Sequence, residues 1–355
     1  MSDHNHATAA PSSGAFDAIS TPDVDVELQQ FAVELGRFSR APWMPEVRRL
    51  SQASNWHSVC VIAFQWGLIA LSCWAAVASG HWLVYVLAAF VIASRQQALG
   101  IMVHDASHYL LFSNHAANDV VADLFLAFPV GLSTTLYRST HLLHHRHANS
   151  PQDPDVLIAG NDPDWRWPKT RWGCLKLLLM SLFALNLQRA APVYMRWNPG
   201  SNLFRPLSPA FPLRARLLWV GSTVVVFGLI AWFDVWIPAL LLWVLPSITI
   251  LNVISRIRAT AEHMLTPSTH ELNSTRTVIP AWWERWLIAP MGINYHLEHH
   301  LFPSVPGYKL DELHRQLIRD EEFRKLAHIT PTYCGPRYGL LGELLTPRVD
   351  DSAAN

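Results

Sequence analysis

The sequence predicts an all-α membrane protein, and three observations support this fold class. Half of the 355 residues are hydrophobic and only 15% are charged, whereas soluble domains are about a quarter charged. The mean hydropathy is positive, at +0.15. Several apolar segments are also close to the length of about 20 residues that a helix needs to cross a bilayer. The 16 tryptophans fit this prediction, because Trp is enriched at membrane interfaces.

Four long apolar segments are predicted to be transmembrane helices arranged in two hairpins. The links within the two pairs are very short and are centred on Gly80 and Asp234. A large soluble helical core is disfavoured, because its helices are rarely this long and apolar on all sides. Two shorter apolar stretches, Val120–Leu136 and Leu175–Leu187, are predicted to be interfacial or packed helices. The four predicted spans are Trp56–Ser79, Trp82–Met102, Leu217–Phe233 and Trp236–Ile254.

The domain prediction has three parts, of which the membrane domain at residues 47–330 is the largest. Residues 1–46 are predicted to form a polar N-terminal tail, disordered over Met1–Ser20, and residues 331–355 a C-terminal tail. The N-terminal tail lacks the basic and then apolar pattern of a signal peptide.

The distribution of basic residues predicts the orientation in the membrane. The hairpin tips carry no Lys or Arg, whereas the long segments at the other end of the spans carry many. By the positive-inside rule, both termini and the middle segment are expected in the cytosol. The formal net charge is zero, which argues against nucleic acid as a partner.

Nine of the 18 histidines are candidate metal ligands, because they are predicted to meet at the cytosolic ends of the spans. Histidines three or four residues apart share one face of a helix. We therefore expect a cytosolic helical cap that carries them. The other histidines, including His115, His147, His270, His314 and His328, are interpreted as packed or solvated side chains. The nine candidates are His104, His108, His141, His144, His145, His263, His296, His299 and His300.

Nine imidazoles exceed the needs of one ion, so the sequence predicts two metal ions. Imidazole binds Fe, Cu, Ni and Zn, so the ligand type alone does not identify the metal. The four cysteines are scattered without a C-x-x-C pair, which argues against an iron–sulfur cluster. A zinc protease is disfavoured because Asp105 stands where H-E-x-x-H needs Glu. A metal transporter is also disfavoured, because its ligands normally lie near the middle of the membrane.

Three carboxylates that adjoin candidate ligands, Asp105, Glu262 and Glu298, are expected to orient imidazoles. Adjacent helical residues point about 100° apart. Each carboxylate is therefore expected to reach a histidine other than its neighbour. Further along, Asn149, Asp153 and Asp155 lie in a Pro-containing loop and are interpreted as a structural turn.

The histidine clusters resemble the boxes of the membrane fatty-acid desaturase family, H-x(3,4)-H, H-x(2,3)-H-H and H/Q-x(2)-H-H. The resemblance extends from about Met102 to His314, and the segment Asn294–Pro303 is similar to the third box. His263 matches an extra histidine that family members place after the last span. The resemblance implies two non-haem irons held by the nine histidines. It also implies that Asn294 supports a metal-bound water.

The resemblance implies an O₂-dependent desaturase that introduces a double bond into an acyl chain. An alkyl C–H bond has no acidic proton, so side chains alone cannot attack it and a redox metal must supply the reactivity. No haem-binding electron-carrier domain is visible in the sequence, so a separate ferredoxin- or cytochrome-type donor is expected. Relatives with the same boxes include hydroxylases, ketolases and desaturases of small metabolites, and these alternatives stay open.

Overall fold

The computed structural model describes residues 36–160, 162–335 and 338–345. The predicted disordered segment Met1–Ser20 lies outside these residues, as does the end of the predicted C-terminal tail. The described part is mainly helical, with a two-stranded parallel sheet of β1 (Thr277–Val278) and β2 (Ile329–Thr330).

Sixteen α-helices can be numbered along the described chain, besides short 3₁₀ turns. They are α1 (Met44–Leu50), α2 (Asn55–Ser79), α3 (Trp82–Ser107), α4 (His115–Ala122), α5 (Thr134–His147), α6 (Pro154–Ala159), α7 (Arg171–Leu182), α8 (Leu187–Met195), α9 (Pro199–Asn202), α10 (Leu213–Trp232), α11 (Trp236–His263), α12 (Trp282–Leu287), α13 (His296–Leu301), α14 (Leu310–Leu317), α15 (Glu321–Leu326) and α16 (Leu340–Leu345).

Helices α2 and α3 form the first hairpin. The Ser54 side chain caps α2 by accepting from the backbone N–H of His57. Gly80 ends α2 with a φ of +60°, a conformation that glycine adopts without steric cost. The apolar window of α3 is 67% buried, compared with 22% for α2. Helix α3 is therefore the inner helix, and α2 leaves large apolar side chains exposed where lipid would contact them.

The second hairpin consists of α10 and α11, and the prediction of an all-α protein with four candidate spans in two hairpins is confirmed. All four helices are long and apolar enough to cross a membrane. Two of them continue past their predicted ends. Helix α3 extends to Ser107 and so includes His104, while α11 extends to His263. A π-helical turn at Leu240–Val244 and an irregular backbone at Thr249 interrupt α11.

The two shorter apolar stretches form sharply bent helix pairs. The segments His115–Val130 and Thr134–His147 meet at 89°, and α7 and α8 meet at 68°. If each bent pair were counted as one span, the described chain would have six candidates. The bend before α5 lets this helix leave the direction of α4 and pack against the C-terminal part of α3.

The segments that follow α11 contribute to two apolar cores. One core joins Phe38 of the predicted N-terminal tail and Leu50 of α1 with Leu313 and Leu317 of α14. The other joins Tyr333, Leu340 and Leu344 to Ile101 of α3 and Ala261 of α11. The described residues of both predicted tails therefore include side chains that are buried against the rest of the protein.

Candidate metal centre

Four helices carry the nine histidines that the sequence singles out. His104 lies in the last turn of α3 and His108 caps its end. Helix α5 carries His141, His144 and His145, and His263 is the last residue of α11. Helix α13 carries His296, His299 and His300. In α5 and α13, the spacing of three and four residues places the imidazoles on one side of the helix.

The structure brings all nine histidines together in two groups. Within each group, one ring nitrogen of every histidine lies within 4.8 Å of all the others. The rings of His145 and His300 stack at 4.3 Å between centroids, so the two groups adjoin. The first group is His104, His108, His141, His145 and His299, and the second is His144, His263, His296 and His300.

The ring nitrogens are closely spaced within the first group. The Nε2 atom of His141 lies 3.0 Å from Nε2 of His108 and 3.1 Å from Nε2 of His145. The Nε2 atoms of His145 and His299 are 2.9 Å apart. The second group repeats this pattern, because Nε2 of His296 lies 2.9 Å from that of His263 and 3.1 Å from that of His300.

These spacings fit nitrogens that share a metal ion better than nitrogens that hydrogen bond to one another. A neutral imidazole nitrogen carries either a proton or a lone pair and cannot both donate and accept. In a chain of four nitrogens, some would have to donate twice. The Nε2 atom of His104 is also buried without a protein partner, which is costly for a polar atom unless a ligand satisfies it.

The same distances indicate the coordination geometry. Metal–imidazole bonds are about 2.1 Å long. Two such nitrogens are about 3.0 Å apart at a right angle and about 3.4 Å apart at a tetrahedral angle. The five closest pairs, at 2.9–3.1 Å, match the right-angled spacing. These imidazoles are therefore close enough to bind a common metal ion within each group.

Two residues that the sequence analysis assigned to a structural turn contact the second group. Both carboxylate oxygens of Asp153 lie 2.9 Å from Nδ1 of His144. The side-chain oxygen of Asn149 lies 3.1 Å from Nδ1 of His263. Each acceptor favours a proton on Nδ1 and leaves the lone pair of Nε2 free for a metal. Their position in the loop after the second box was the only sequence signal that could have identified them.

The predicted carboxylates behave differently from one another. Asp105 lies 3.3 Å from Nδ1 of His104, its own neighbour, so the prediction that it would reach another histidine is wrong. His104 lies at the end of α3, where the Asp105 side chain turns back and also accepts from the backbone N–H of Gly307. Glu262 lies 3.7 Å from Nδ1 of His296, which is too far for a hydrogen bond and leaves that buried nitrogen without a protein partner. Arg258 donates to Glu262 at 2.6 Å.

Glu298 and Asn294 are buried beside the centre. Glu298 does not hydrogen bond to any of the nine histidines and instead pairs with His314, a residue interpreted from the sequence as a packed or solvated side chain. The side-chain nitrogen of Asn294 donates to the carbonyl of Val278. Its side-chain oxygen is buried without a protein partner, so it remains free to accept a hydrogen bond.

Burial keeps the imidazoles of α13 neutral. It lowers the pKa of His299 and His300 well below the ordinary value, and neighbouring imidazoles lower the pKa further. The pKa of His296 is lowered by burial and then by His263. Because a metal binds the neutral form of imidazole, these shifts favour ligand binding over protonation.

Histidines that the sequence analysis set aside lie outside both groups. His115 stacks on Tyr109 at 4.0 Å between ring centroids, and His270 caps a 3₁₀ turn. His147 follows the second box by two residues and belongs to neither group. Helical spacing therefore separates His147 from the nearby histidines, as the sequence analysis expected.

Comparison with known proteins identifies similar desaturases. The dihydrorhizobitoxine desaturase of Bradyrhizobium elkanii is 27% identical over 281 residues, which cover 75% of this chain and 76% of that protein. The sphingolipid delta(4)-desaturase/C4-monooxygenase of Mus musculus is 26% identical over 246 residues, or 68% of each chain. A sphingolipid delta(4)-desaturase of Drosophila melanogaster is 25% identical over 225 residues, or 61% of each chain.

The sequence model described as fatty acid desaturase matches residues 80–332. This range covers more than half of the chain and contains the four helices that carry the two histidine groups. The match and the curated relatives agree, and the chain belongs to the fatty acid desaturase family.

Proposed function

We propose that this protein is an O₂-dependent desaturase that holds two iron ions and introduces a double bond into an acyl chain. The observation that carries the proposal is the presence of two adjoining histidine groups, in which the ligand nitrogens lie within 4.8 Å of one another and the closest pairs are 2.9–3.1 Å apart. The first group offers five ligands to one ion and the second offers four to the other. Imidazole ligands with right-angled spacing are compatible with iron.

The protein side chains hold, orient and isolate the centre. Bound iron would supply the oxidising power that an alkyl C–H bond requires and that no side chain has. Asp153 and Asn149 fix the ring orientations of His144 and His263, and we assign Asp105 the same task for His104. Asn294, whose oxygen is unpartnered, is proposed to accept a hydrogen bond from water in the centre.

The overall reaction needs an external source of electrons. Formation of one C=C bond removes two hydrogen atoms from the substrate, and these, with two further electrons and two protons, reduce O₂ to two water molecules. We propose that a separate ferredoxin- or cytochrome-type protein supplies the two electrons. We also propose that the centre and both termini face the cytosol, which the distribution of Lys and Arg supports.

Two other products are supported by the named relatives. The Bradyrhizobium protein is named for a dihydrorhizobitoxine substrate, which favours a small metabolite as the second candidate substrate class. The mouse relative is named as both a desaturase and a monooxygenase, which favours hydroxylation as the second candidate reaction. The product mass separates the reactions, because desaturation removes two hydrogens and hydroxylation adds one oxygen.

The first prediction concerns metal content and activity. Protein purified without chelators is expected to contain about two irons per chain, because nine imidazoles exceed what one ion holds. Cells that express it should contain a new unsaturated lipid or metabolite that is absent from cells expressing His144→Ala. His147→Ala is the matched control and should keep activity, because His147 belongs to neither group. One zinc per chain and no iron, or an inactive but iron-loaded His147→Ala protein, would contradict the proposal.

A further inference from the structure

Glu298 is a completely buried carboxylate in the same short helix as three of the candidate ligands. Its exposed fraction is 0%. The hydroxyl of Thr277 donates to Oε2 at 2.5 Å, and Nδ1 of His314 donates to Oε1 at 2.5 Å. A buried carboxylate is unfavourable unless it is paired and hydrogen bonded. These two partners therefore hold Glu298, and with it the backbone of α13, in one place.

Helix α13 contributes to both histidine groups. His299 belongs to the first group, whereas His296 and His300 belong to the second. The helix has only six residues, too few to be stable by itself. A rotation of 10° about its axis would move a side-chain tip 5–6 Å from the axis by about 1 Å. Such a displacement would spoil the spacing of ligand nitrogens in both groups at once.

We propose that Glu298, which accepts hydrogen bonds from His314 and Thr277, is a positioning residue. It fixes the rotation of α13 about its axis and so holds the ligand nitrogens of both histidine groups in place. The inference rests on the proposed metal centre and adds His314 and Thr277 to its supporting residues. Neither His314 nor Thr277 donates a side-chain hydrogen bond to a candidate ligand. Both act through the carboxylate that lies between His296 and His299 in the sequence.

The two partners of Glu298 are themselves held by different elements. His314 lies on α14, whose Leu313 and Leu317 are fully buried. The ring of His314 also packs against those of Tyr295 and Phe323, at 5.2 and 6.2 Å between centroids. Thr277 lies on β1 and is paired with Ile329 of β2. Two separately anchored points thus resist rotation of α13.

The test uses variants that differ in one hydrogen bond. His314→Phe keeps an aromatic ring but removes the donor, whereas His314→Asn places an amide N–H close to the position of Nδ1. His328→Phe is the control, because the His328 ring contacts a different glutamate, Glu343, at 2.9 Å, and also Arg276 at 3.4 Å. The substitution keeps the backbone carbonyl that accepts from the N–H of Thr277. The exposed side-chain fractions of the two histidines are 12% for His328 and 13% for His314. Glu343 lies on α16, which carries none of the candidate ligands.

The probe is Co²⁺, titrated into full-length protein stripped of metal and followed by visible absorption, which reports the ligand set. His314→Phe should weaken cobalt binding about 10-fold, the lower end of the loss caused by removing a direct partner of a metal ligand, because His314 acts on the ligands only through Glu298. It should also change the spectrum. His314→Asn and His328→Phe should resemble the unaltered protein. Size-exclusion chromatography and thermal melting of the metal-free variants check that each one folds.

The outcomes separate this inference from the proposed function. Normal cobalt binding and spectrum in folded His314→Phe would overturn the inference, as would equal losses in His314→Phe and His328→Phe. If His314→Phe does not fold, His314→Asn becomes the deciding variant. It must then bind cobalt like the unaltered protein, and weaker binding by folded His314→Asn would overturn the inference. A protein that binds cobalt as described but contains no iron when purified would contradict the proposed iron enzyme and leave the positioning role intact.

Discussion

At the scale of single residues, Asp153 serves both the fold and the candidate metal centre. Its carboxylate accepts from the backbone N–H of Asp155 at 2.9 Å and so caps α6. The same carboxylate lies 2.9 Å from Nδ1 of His144. Burial raises the pKa of Asp153, but the hydrogen bonds that it accepts from His144 and from the backbone N–H groups of Asp155 and Asn149 help to lower the pKa overall. The ionised carboxylate is therefore the form that orients the ring.

The second prediction follows from this contact. Asp153→Ala should weaken metal binding about 10- to 100-fold, because His144 loses the acceptor that fixes its ring and tautomer. The loss of the cap should cost only about 1 kcal/mol of unfolding free energy. Asp155→Ala is the control, since its carboxylate is half exposed and lies 3.7 Å from the same nitrogen. Metal titration of both variants tests this prediction. Equal metal affinities in Asp153→Ala and Asp155→Ala would show that Asp153 does not orient His144.

Residues of this kind mark the limit of prediction from the sequence. The nine histidines could be predicted because their spacing follows the helical repeat within each cluster. Asp153 and His314 could not, because a hydrogen bond to a ligand or to its neighbour leaves no periodic pattern in the chain. Asp105 shows a related limit. Its helix ends within a few residues, so the angle between neighbouring helical side chains did not predict its partner.

At the scale of helices, Arg138 joins three elements near the first histidine group. Its guanidinium donates to the carbonyls of Ala106 and Ser107 at the end of α3, both at 2.9 Å. It also pairs with Asp119 of α4 at 2.6 Å, and both side chains are nearly buried. Since Arg138 belongs to α5, this contact ties the helix of the second box to the end of the helix of the first.

The third prediction is that Arg138→Met lowers the unfolding free energy by about 3–5 kcal/mol, because Asp119 is left buried without its cation. Arg138→Met combined with Asp119→Asn should cost less than the sum of the two single changes. Arg315→Met, which removes an exposed pair with Asp311, should cost no more than about 1 kcal/mol. Thermal unfolding in detergent measures all four variants. If the double variant lost as much unfolding free energy as the two single variants together, Arg138 and Asp119 would not be coupled.

At the scale of the whole molecule, the fourth prediction concerns orientation. In a chain lacking the four native cysteines, Ser79→Cys and Val235→Cys at the two hairpin tips should react with an impermeant thiol reagent only from the non-cytosolic side. Lys325→Cys on exposed α15 should react only from the cytosolic side, because the Lys and Arg distribution predicts that this end faces the cytosol. Ser79 is preferred to Gly80, whose positive φ disfavours a side chain. Labelling of either tip from the cytosol would contradict this topology.

The sequence predicted the membrane part of the molecule better than the part that follows it. Length and hydropathy were sufficient for the four spans, because crossing a bilayer imposes both. They did not predict that α3 and α11 continue past the apolar segments to include His104 and His263. They also did not predict that Tyr333 and Leu344 would be buried against α3 and α11, since such contacts depend on tertiary packing and not on local pattern.

Helices α5 and α13 each place histidines in both groups, and we predict that this sharing makes metal loading cooperative. The first ion to bind would fix the imidazole rings on both helices, so the second ion would meet a smaller entropic cost. A coupling of about 1–3 kcal/mol, or 5- to 150-fold in affinity, is typical. Native mass spectrometry of partly loaded protein should therefore detect chains with no ion or two ions and few with one. A statistical mixture would contradict this fifth prediction. With cooperative loading, scarcity of metal lowers the number of complete centres without accumulating chains that hold a single, unpaired ion.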